Sequence, residues 1–238
     1  MKKFFSASLV FGLLFISSCG PARFVEPLKR GQNALAVSAG GPIVNVPGVA
    51  TLPLPMSSVT YGRGVTNNIT AYGSWFMTAA VFGTFQFDAG ATVKMWGNDK
   101  NDQGVSISPG FNFAIDRFEQ NFKFWPQFDA HYYWNYNSRQ MEQDDLLTGK
   151  RFAANKLYTG IGSWYELSGT RAHGEKQNTR IIPTIQIGHD LNWNRWSFKT
   201  ELKLIAPFSS NENIVVDYKS LTGNYGATGF YFGFTKTF

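Results

Sequence analysis

From Phe122 to Asn137 the chain alternates in character at every step. Phe122, Phe124, Pro126, Phe128, Ala130, Tyr132, Trp134 and Tyr136 hold one parity, and Lys123, Trp125, Gln127, Asp129, His131, Tyr133, Asn135 and Asn137 hold the other. A period of two puts these sets on opposite faces of a β-strand. Strands of soluble proteins average about five or six residues, whereas a tilted strand needs about 9 to 11 to cross a bilayer. This run is long enough to cross. The pattern recurs: Val105, Ile107, Pro109, Phe111, Phe113 and Ile115 alternate with Ser106, Ser108, Gly110, Asn112, Ala114 and Asp116, and Phe85, Phe87, Ala89, Ala91 and Val93 with Gln86, Asp88, Gly90, Thr92 and Lys94. Trp196, Phe198, Leu202 and Leu204 alternate in the same way with Ser197, Lys199, Glu201 and Lys203. Charges on the inner face of a soluble barrel would sit desolvated in its core. In a membrane barrel that face is a polar lumen, and the apolar row meets lipid.

Read along its whole length, the chain predicts an all-β fold, a closed antiparallel transmembrane β-barrel of about ten strands. The strands are expected near 33–41, 55–64, 68–76, 81–96, 104–116, 122–137, 156–167, 179–190, 195–205 and 226–238. Turn signals fall at Thr66-Asn67-Asn68 and Leu191-Asn192-Trp193-Asn194, with longer polar links at 97–103, 138–155, 168–178 and 206–225. An even count returns both ends of the chain to one side. The link 138–155 then falls on the periplasmic side, where short turns are expected, so counts of eight and twelve stay open.

Composition narrows the class. Only 16% of the 238 residues are charged and 43% are hydrophobic, against about 25% charged in an ordinary soluble domain, which excludes a disordered chain or a coiled coil. A mean hydropathy of -0.20 excludes a bundle of transmembrane helices, each of which needs about 20 mainly apolar residues in a row. Residues 1–18 read as a secretory signal: Lys2 and Lys3, an apolar stretch from Phe4 to Ile16, then Ser17 and Ser18. Ile16-Ser17-Ser18-Cys19 resembles a bacterial lipobox, which implies acylation of Cys19, the single cysteine of the chain. Residues 19–32 are then a lipid-anchored lead segment on the periplasmic side, and 33–238 the barrel. Loss of residues 1–18 removes Lys2 and Lys3, and the formal charge falls from +6 to +4. No basic run interleaved with aromatics remains, which argues against nucleic acid as a partner.

The chain ends in Gly229-Phe230-Tyr231-Phe232-Gly233-Phe234-Thr235-Lys236-Thr237-Phe238. This stretch resembles the C-terminal signal read by the bacterial barrel-assembly machinery, with Gly233, Phe234 and Phe238 in the expected places; Lys236 departs from the pattern and can reach the headgroups by snorkelling. Together with Cys19-Gly20-Pro21, Gly40-Gly41-Pro42 and Tyr61-Gly62-Arg63-Gly64, the ending is similar to small outer-membrane β-barrel lipoproteins of Bacteroidota. The resemblance implies outer-membrane lipid as surroundings, the assembly machinery as a partner in biogenesis, and a covalent lipid on Cys19 with no other cofactor. Gly20-Pro21-Ala22-Arg23 lacks an acidic cluster resembling the surface-export tag of such lipoproteins, which implies a periplasm-facing anchor.

Candidate chemistry is sparse. Outer-membrane lipid A deacylases carry a His-x-Ser arrangement, yet His131 precedes Tyr132-Tyr133, His173 precedes Gly174-Glu175 and His189 precedes Asp190-Leu191. There is no Gly-x-Ser-x-Gly elbow and no pair of His at metal-ligand spacing. Glu142, Asp144 and Asp145 read as a solvated loop. The expectation is a protein that is not an enzyme and holds no metal. Asp88, Lys94, Asp116, Lys123, Asp129, His131, Glu166, Arg180, Lys199, Glu201 and Lys203 form the predicted lumen charge network. Both signs are present in comparable number, which predicts a mutually neutralised, largely filled interior. Trp75, Trp96, Trp134, Tyr136, Trp164, Trp193 and Trp196 are expected near strand ends as interfacial anchors. These features fit a structural or accessory subunit of an outer-membrane complex, with 206–225, including Ile214-Val215-Val216, as an external contact. A narrow channel or small-solute transporter is the alternative, and a lipid-modifying enzyme acting through His131 or a loop histidine the third.

Overall fold

In a computed structural model of the chain, residues 20–46, 48, 50–98, 102–118, 122–136, 155–167, 180–211 and 217–238 are described. The strands are β1 (Asn33–Val46), β2 (Ala50–Pro53), β3 (Met56–Thr66), β4 (Ile69–Phe76), β5 (Thr84–Gly97), β6 (Gln103–Asp116), β7 (Phe122–Tyr136), β8 (Asn155–Tyr165), β9 (Ile181–Trp193), β10 (Trp196–Ser210) and β11 (Tyr225–Thr237). A one-turn helix α1 (Met77–Val81) joins β4 to β5. Among the described residues no helix is long and apolar enough to cross a membrane.

Each strand pairs antiparallel with its neighbour, and β11 returns to β1 from Ala34↔Thr237 to Pro42↔Gly229. Reciprocal main-chain bonds between Asn33 and Phe238 (3.0 and 2.9 Å) finish the seam. The barrel has ten strands; β2 stands outside the ring as a flap on the far end of β1. The ten predicted strands are the ten of the barrel, and eight and twelve are excluded. Closure leaves no unpaired edge, as a hydrocarbon surrounding demands.

Strand ends depart from expectation where the alternation breaks. Strand β10 continues past residue 205 through a bulge, with Ala206 at φ 48° and a register shift between Ile205 and Ser210, so side chains change face there and the period fades. Strand β1 runs on past Gly41 because Gly40, at φ 122°, takes a conformation closed to other residues; a Cβ there would lie 2.2 Å from the Phe230 carbonyl oxygen. Strand β5 starts late because α1 uses residues 77–81.

The start of β1 and the end of β11 lie at one end of the barrel, with tight turns at Asn67-Asn68 and Asn194-Arg195. Strand β7 ends and β8 begins at this same terminal end; the link 137–154 lies outside the described residues. The opposite end carries the β2 flap, α1 and the β10–β11 connection, part of which docks on β1: the Asn45 amide donates to the Asp217 carbonyl and that of Lys219 to Ile43 (both 2.9 Å). Facing outward along the strands are Val37, Phe87, Phe111, Phe124, Ile187 and Phe232, all exposed or half-exposed, while Gln86, Asn112, Gln186 and Glu201 of the inward parity are fully buried. This is the inverse of a soluble protein, and it is what lipid outside and a polar lumen inside require.

Candidate functional site

What fills the lumen is the chain itself. Residues 20–30, expected as a periplasmic lead outside the barrel, run inside it, and this corrects the expected placement of the 19–32 segment. The physical reason is that the inward row offers many polar groups that need partners, and the main chain of a non-periodic segment supplies them. Glu201 Oε2 accepts the Ala22 amide at 2.9 Å. Lys199 Nζ donates to the carbonyls of Ala22 (2.8 Å) and Arg23 (3.0 Å), and Lys203 Nζ to that of Gly20 (2.9 Å). Thr92 Oγ1 donates to the Phe24 carbonyl at 2.7 Å and Ser106 Oγ to that of Val25 at 2.5 Å. The Leu28 amide donates to Thr70 Oγ1 (2.7 Å) and the Arg30 amide to Asn67 Oδ1 (3.1 Å). The segment thus enters from the turn between β3 and β4, crosses from wall to wall, and reaches Lys203 about midway along β10.

Its side chains are held as firmly as its backbone. The Arg23 guanidinium places Nη2 2.5 Å and Nε 3.1 Å from Asp88 Oδ2, puts Nη1 3.1 Å from Ser58 Oγ, and lies 5.2 Å from the ring centre of Phe76. Phe24 packs at 6.3 Å from Tyr72, with Ala34 and Leu28 beside it. Val25 and Ala22 bury themselves between Tyr133 and Tyr158. Glu26 pairs with Lys156 at 2.9 Å and accepts from Asn135 Nδ2 at 3.3 Å. Room for this is made by glycine: a Cβ on Gly62 would stand 2.3 Å from the Phe24 ring and one on Gly64 2.0 Å from the Lys29 carbonyl oxygen. Tyr158 lies over its cross-strand partner Gly188 and Tyr133 over Gly104, so that these rings line the wall and the centre stays open to the segment. A cavity beside Ala22, Arg23 and Lys199 is about 20 Å³, space for about one water.

The predicted charge network divides in two. Asp88, His131, Lys199, Glu201 and Lys203 are buried in the middle of the barrel, with Lys203 3.4 Å from Glu201 and Lys199 3.9 Å from Asp190. Asp129 faces inward beside them, its Oδ1 over Gly162. His131 Nε2 lies 2.5 Å from Gln186 Nε2, and its ring meets Tyr158 edge-on. The other five lie toward the ends of the barrel: Lys94 beside Gly97 at the terminal end, and Asp116, Lys123, Glu166 and Arg180 at the opposite end, where Glu166 accepts from Trp125 Nε1 at 2.8 Å. The charges share the interior with the segment, Tyr133, Tyr158, Tyr231 and a row of amides, which occupy most of it. Arg23 and Glu26 escaped sequence reading because they have no strand parity, and Asp190 and Lys156 because they sit at strand ends. A signal for the segment did exist in Gly62 and Gly64, an inward small-residue gap that something has to fill.

At the seam, Gly233 faces the lumen, Phe234 faces outward at 4.8 Å from Phe198, and Phe238 is exposed. Lys236 Nζ sits 5.2 Å from the Trp196 ring centre, consistent with a snorkelling cation over an interfacial indole. Trp75, Trp96, Trp193 and Trp196 are exposed on the outer surface, whereas Trp164 shares the inward parity of Tyr158 and Gln127, correcting its placement as an outer anchor. Cys19, Glu142, Asp144, Asp145, His173 and Ile214-Val215-Val216 lie outside the described residues. Among the described residues no group of three His, Cys, Asp or Glu is placed to hold a metal ion.

No protein-family model and no curated protein matches the chain. Among solved structures it is similar to the NanC porin (7% identity, TM-score 0.41, covering 85% of this chain and 98% of that one). It is also similar to the translocator domain of the autotransporter NalP from Neisseria meningitidis (10%, 0.37, 90% and 91%). A third is the outer membrane protease OmpT from Escherichia coli (8%, 0.31, 87% and 94%).

Proposed function

We propose that the protein is a bacterial outer-membrane β-barrel whose resting lumen is closed by its own N-terminal segment, and that it acts through its surfaces as a non-enzymatic structural or accessory subunit of an outer-membrane assembly or transport complex. The observation that carries this reading is the capture of the Gly20–Arg30 main chain by side chains of β4, β5, β6 and β10. A lumen sealed in this way has no conduit to offer in its resting state. The absence of catalysis is part of the proposal; the burial of His131 between Gln186 and Tyr158 supports it, since a general base has to reach a substrate proton. The test is conductance of wild-type protein in planar bilayers with insertion verified, alongside crosslinking pull-down from native membranes. Silent bilayers and a recovered partner complex are expected, and steady conductance from wild type overturns the closed state. Lipid A unchanged between deletion and overexpressing strains is expected on the same reading.

A gated narrow channel is the second reading, favoured because the obstruction is a segment of peptide rather than the wall. Acylation of Cys19 is proposed with the lipobox resemblance as its support, and palmitate labelling lost in Cys19→Ala tests it.

A further inference from the structure

We propose that the lumen is a peptide-binding site, selective for an extended segment of the pattern Ala-Arg-Phe-Val-Glu, and that Ala22–Glu26 is its resident and exchangeable ligand. The inference rests on the reading that this segment closes the barrel, and it adds that the contact is one of ligand with receptor. Three features carry it. First, strand pairing uses up the backbone of the wall, so the segment is not a strand of the sheet; side chains bind it, as a receptor binds a ligand. Second, successive residues meet separate chemistry: Arg23 in a fork of Asp88 and Ser58 under Phe76, Phe24 against Tyr72, Val25 between Tyr133 and Tyr158, and Glu26 on Lys156. Third, nothing covalent ties the segment to the wall beyond the chain that continues into β1 at Asn33. If it leaves, Asp88, Glu201, Lys199 and Lys203 lose partners within a buried space, a cost that a second peptide of the same pattern offsets and an apolar solute does not.

Arg23 decides selectivity, because its planar fork meets one carboxylate oxygen through two nitrogens and its third reaches a hydroxyl. The experiment uses the full chain. Arg23→Glu sets two carboxylates against each other at Asp88 and should release the resident segment. Such protein, shown by heat-modifiable mobility to be folded, should conduct in planar bilayers where wild type is silent. A synthetic peptide spanning residues 20–30 should then block the conductance, and the same peptide carrying Arg23→Ala should need at least about tenfold more to do so. The double variant Arg23→Glu/Asp88→Arg, with the pair reversed, should close again and lose sensitivity to the wild-type peptide.

Conduction by Arg23→Glu that the peptide does not reduce, or that both peptides reduce equally, overturns the proposed receptor site while leaving the closed resting state intact. A folded, inserted and silent Arg23→Glu protein overturns exchangeability. Should Arg23→Glu fail to fold, fluorescence anisotropy of a labelled peptide spanning residues 20–26, which ends before the Leu28 and Lys29 carbonyls that a side chain at position 64 would meet, with the Gly64→Val protein decides: saturable binding weakened by Arg23→Ala in the peptide supports the site, and no binding overturns it. Conductance from wild type itself counts against the function proposed above and not against this site.

Discussion

The two faces of the same strands obey different rules. On the outer face, Phe87, Phe111, Phe113, Phe122 and Phe124 touch one another loosely, with ring centres 5.5 to 6.5 Å apart, and each is free to exchange one apolar neighbour for a lipid tail. On the inner face Glu201 has a fixed set of partners: Lys203, the Ala22 amide and the Tyr158 hydroxyl, the last at 2.8 Å. Lipid is a solvent for the first set, so composition suffices there. The lumen is walled off from bulk water, so each inward polar group depends on a particular partner. The outer face should therefore tolerate any apolar substitution, and the inner face hardly any change of polar group.

The largest effect should come from the inside. Glu201→Ala leaves Lys203 beside an empty position and removes the acceptor for Ala22 and Tyr158; breaking a buried pair in this way costs about 3–5 kcal/mol, to be read as a fall in the urea midpoint in lipid vesicles. A stability close to that of wild type would mean that water stands in for the carboxylate and that the two faces differ less than claimed. On the outside, Ile187→Arg introduces a charge into lipid at a cost of about 2–4 kcal/mol if its depth is near the midplane, whereas Ile187→Leu should leave the same midpoint unmoved. Smaller still is Phe113→Ala, which removes ring contacts worth about 0.5–1.5 kcal/mol; a loss as large as that of Glu201→Ala would show that the outer aromatics pack specifically.

The smallest effect belongs to neither face. Asp217 in the β10–β11 connection accepts from Asn45 Nδ2 at 2.9 Å and pairs with Lys219 at 3.1 Å, and the Asn45 bond followed by the lysine holds its carboxyl below the usual value of 3.8. A carboxyl with a lowered pKa stabilises docking above its ordinary value and loses that contribution as pH falls through the lowered one. The protection factors of the Asn45 and Lys219 amides, taken against the intrinsic exchange rate at each pH, should stay constant down to about pH 3.8 and fall below it. Asp217→Asn should abolish that pH dependence without altering exchange in the strands.

How much of this is legible in the sequence follows from the same contrast. Strands such as β7, fifteen alternating residues from Phe122 to Tyr136, can be read because parity alone assigns each face. Reading fails where parity fails: at the Ala206 bulge, at Gly40, and at α1, whose last residue, Val81, falls inside the strand predicted over 81–96. The site was half legible. Asp88, Lys199, Glu201 and Lys203 announce themselves as charges on the inward parity, but the partner of Asp88 is Arg23, 65 residues earlier in a stretch with no period. No local pattern encodes that contact. It depends on closure bringing β3, β5 and β10 around one space, and on Gly62 and Gly64 leaving that space empty.

The placement of residues 20–30 inside the lumen is the point on which the account turns. Glu26 and Lys156 meet tip to tip at 2.9 Å across the interior, and two cysteine side chains are too short to span the distance between their backbones directly, so cysteines at these two positions, in a Cys19→Ser background, should be bridged through disulfides to a short bis-methanethiosulfonate crosslinker in native membranes. Trypsin cleavage after Arg30 should then leave residues 20–30 attached to the heat-modifiable barrel until reductant is added. A barrel that folds and inserts, yet forms no such bridge and exposes the cysteine at position 26 to a membrane-impermeant maleimide, would contradict it.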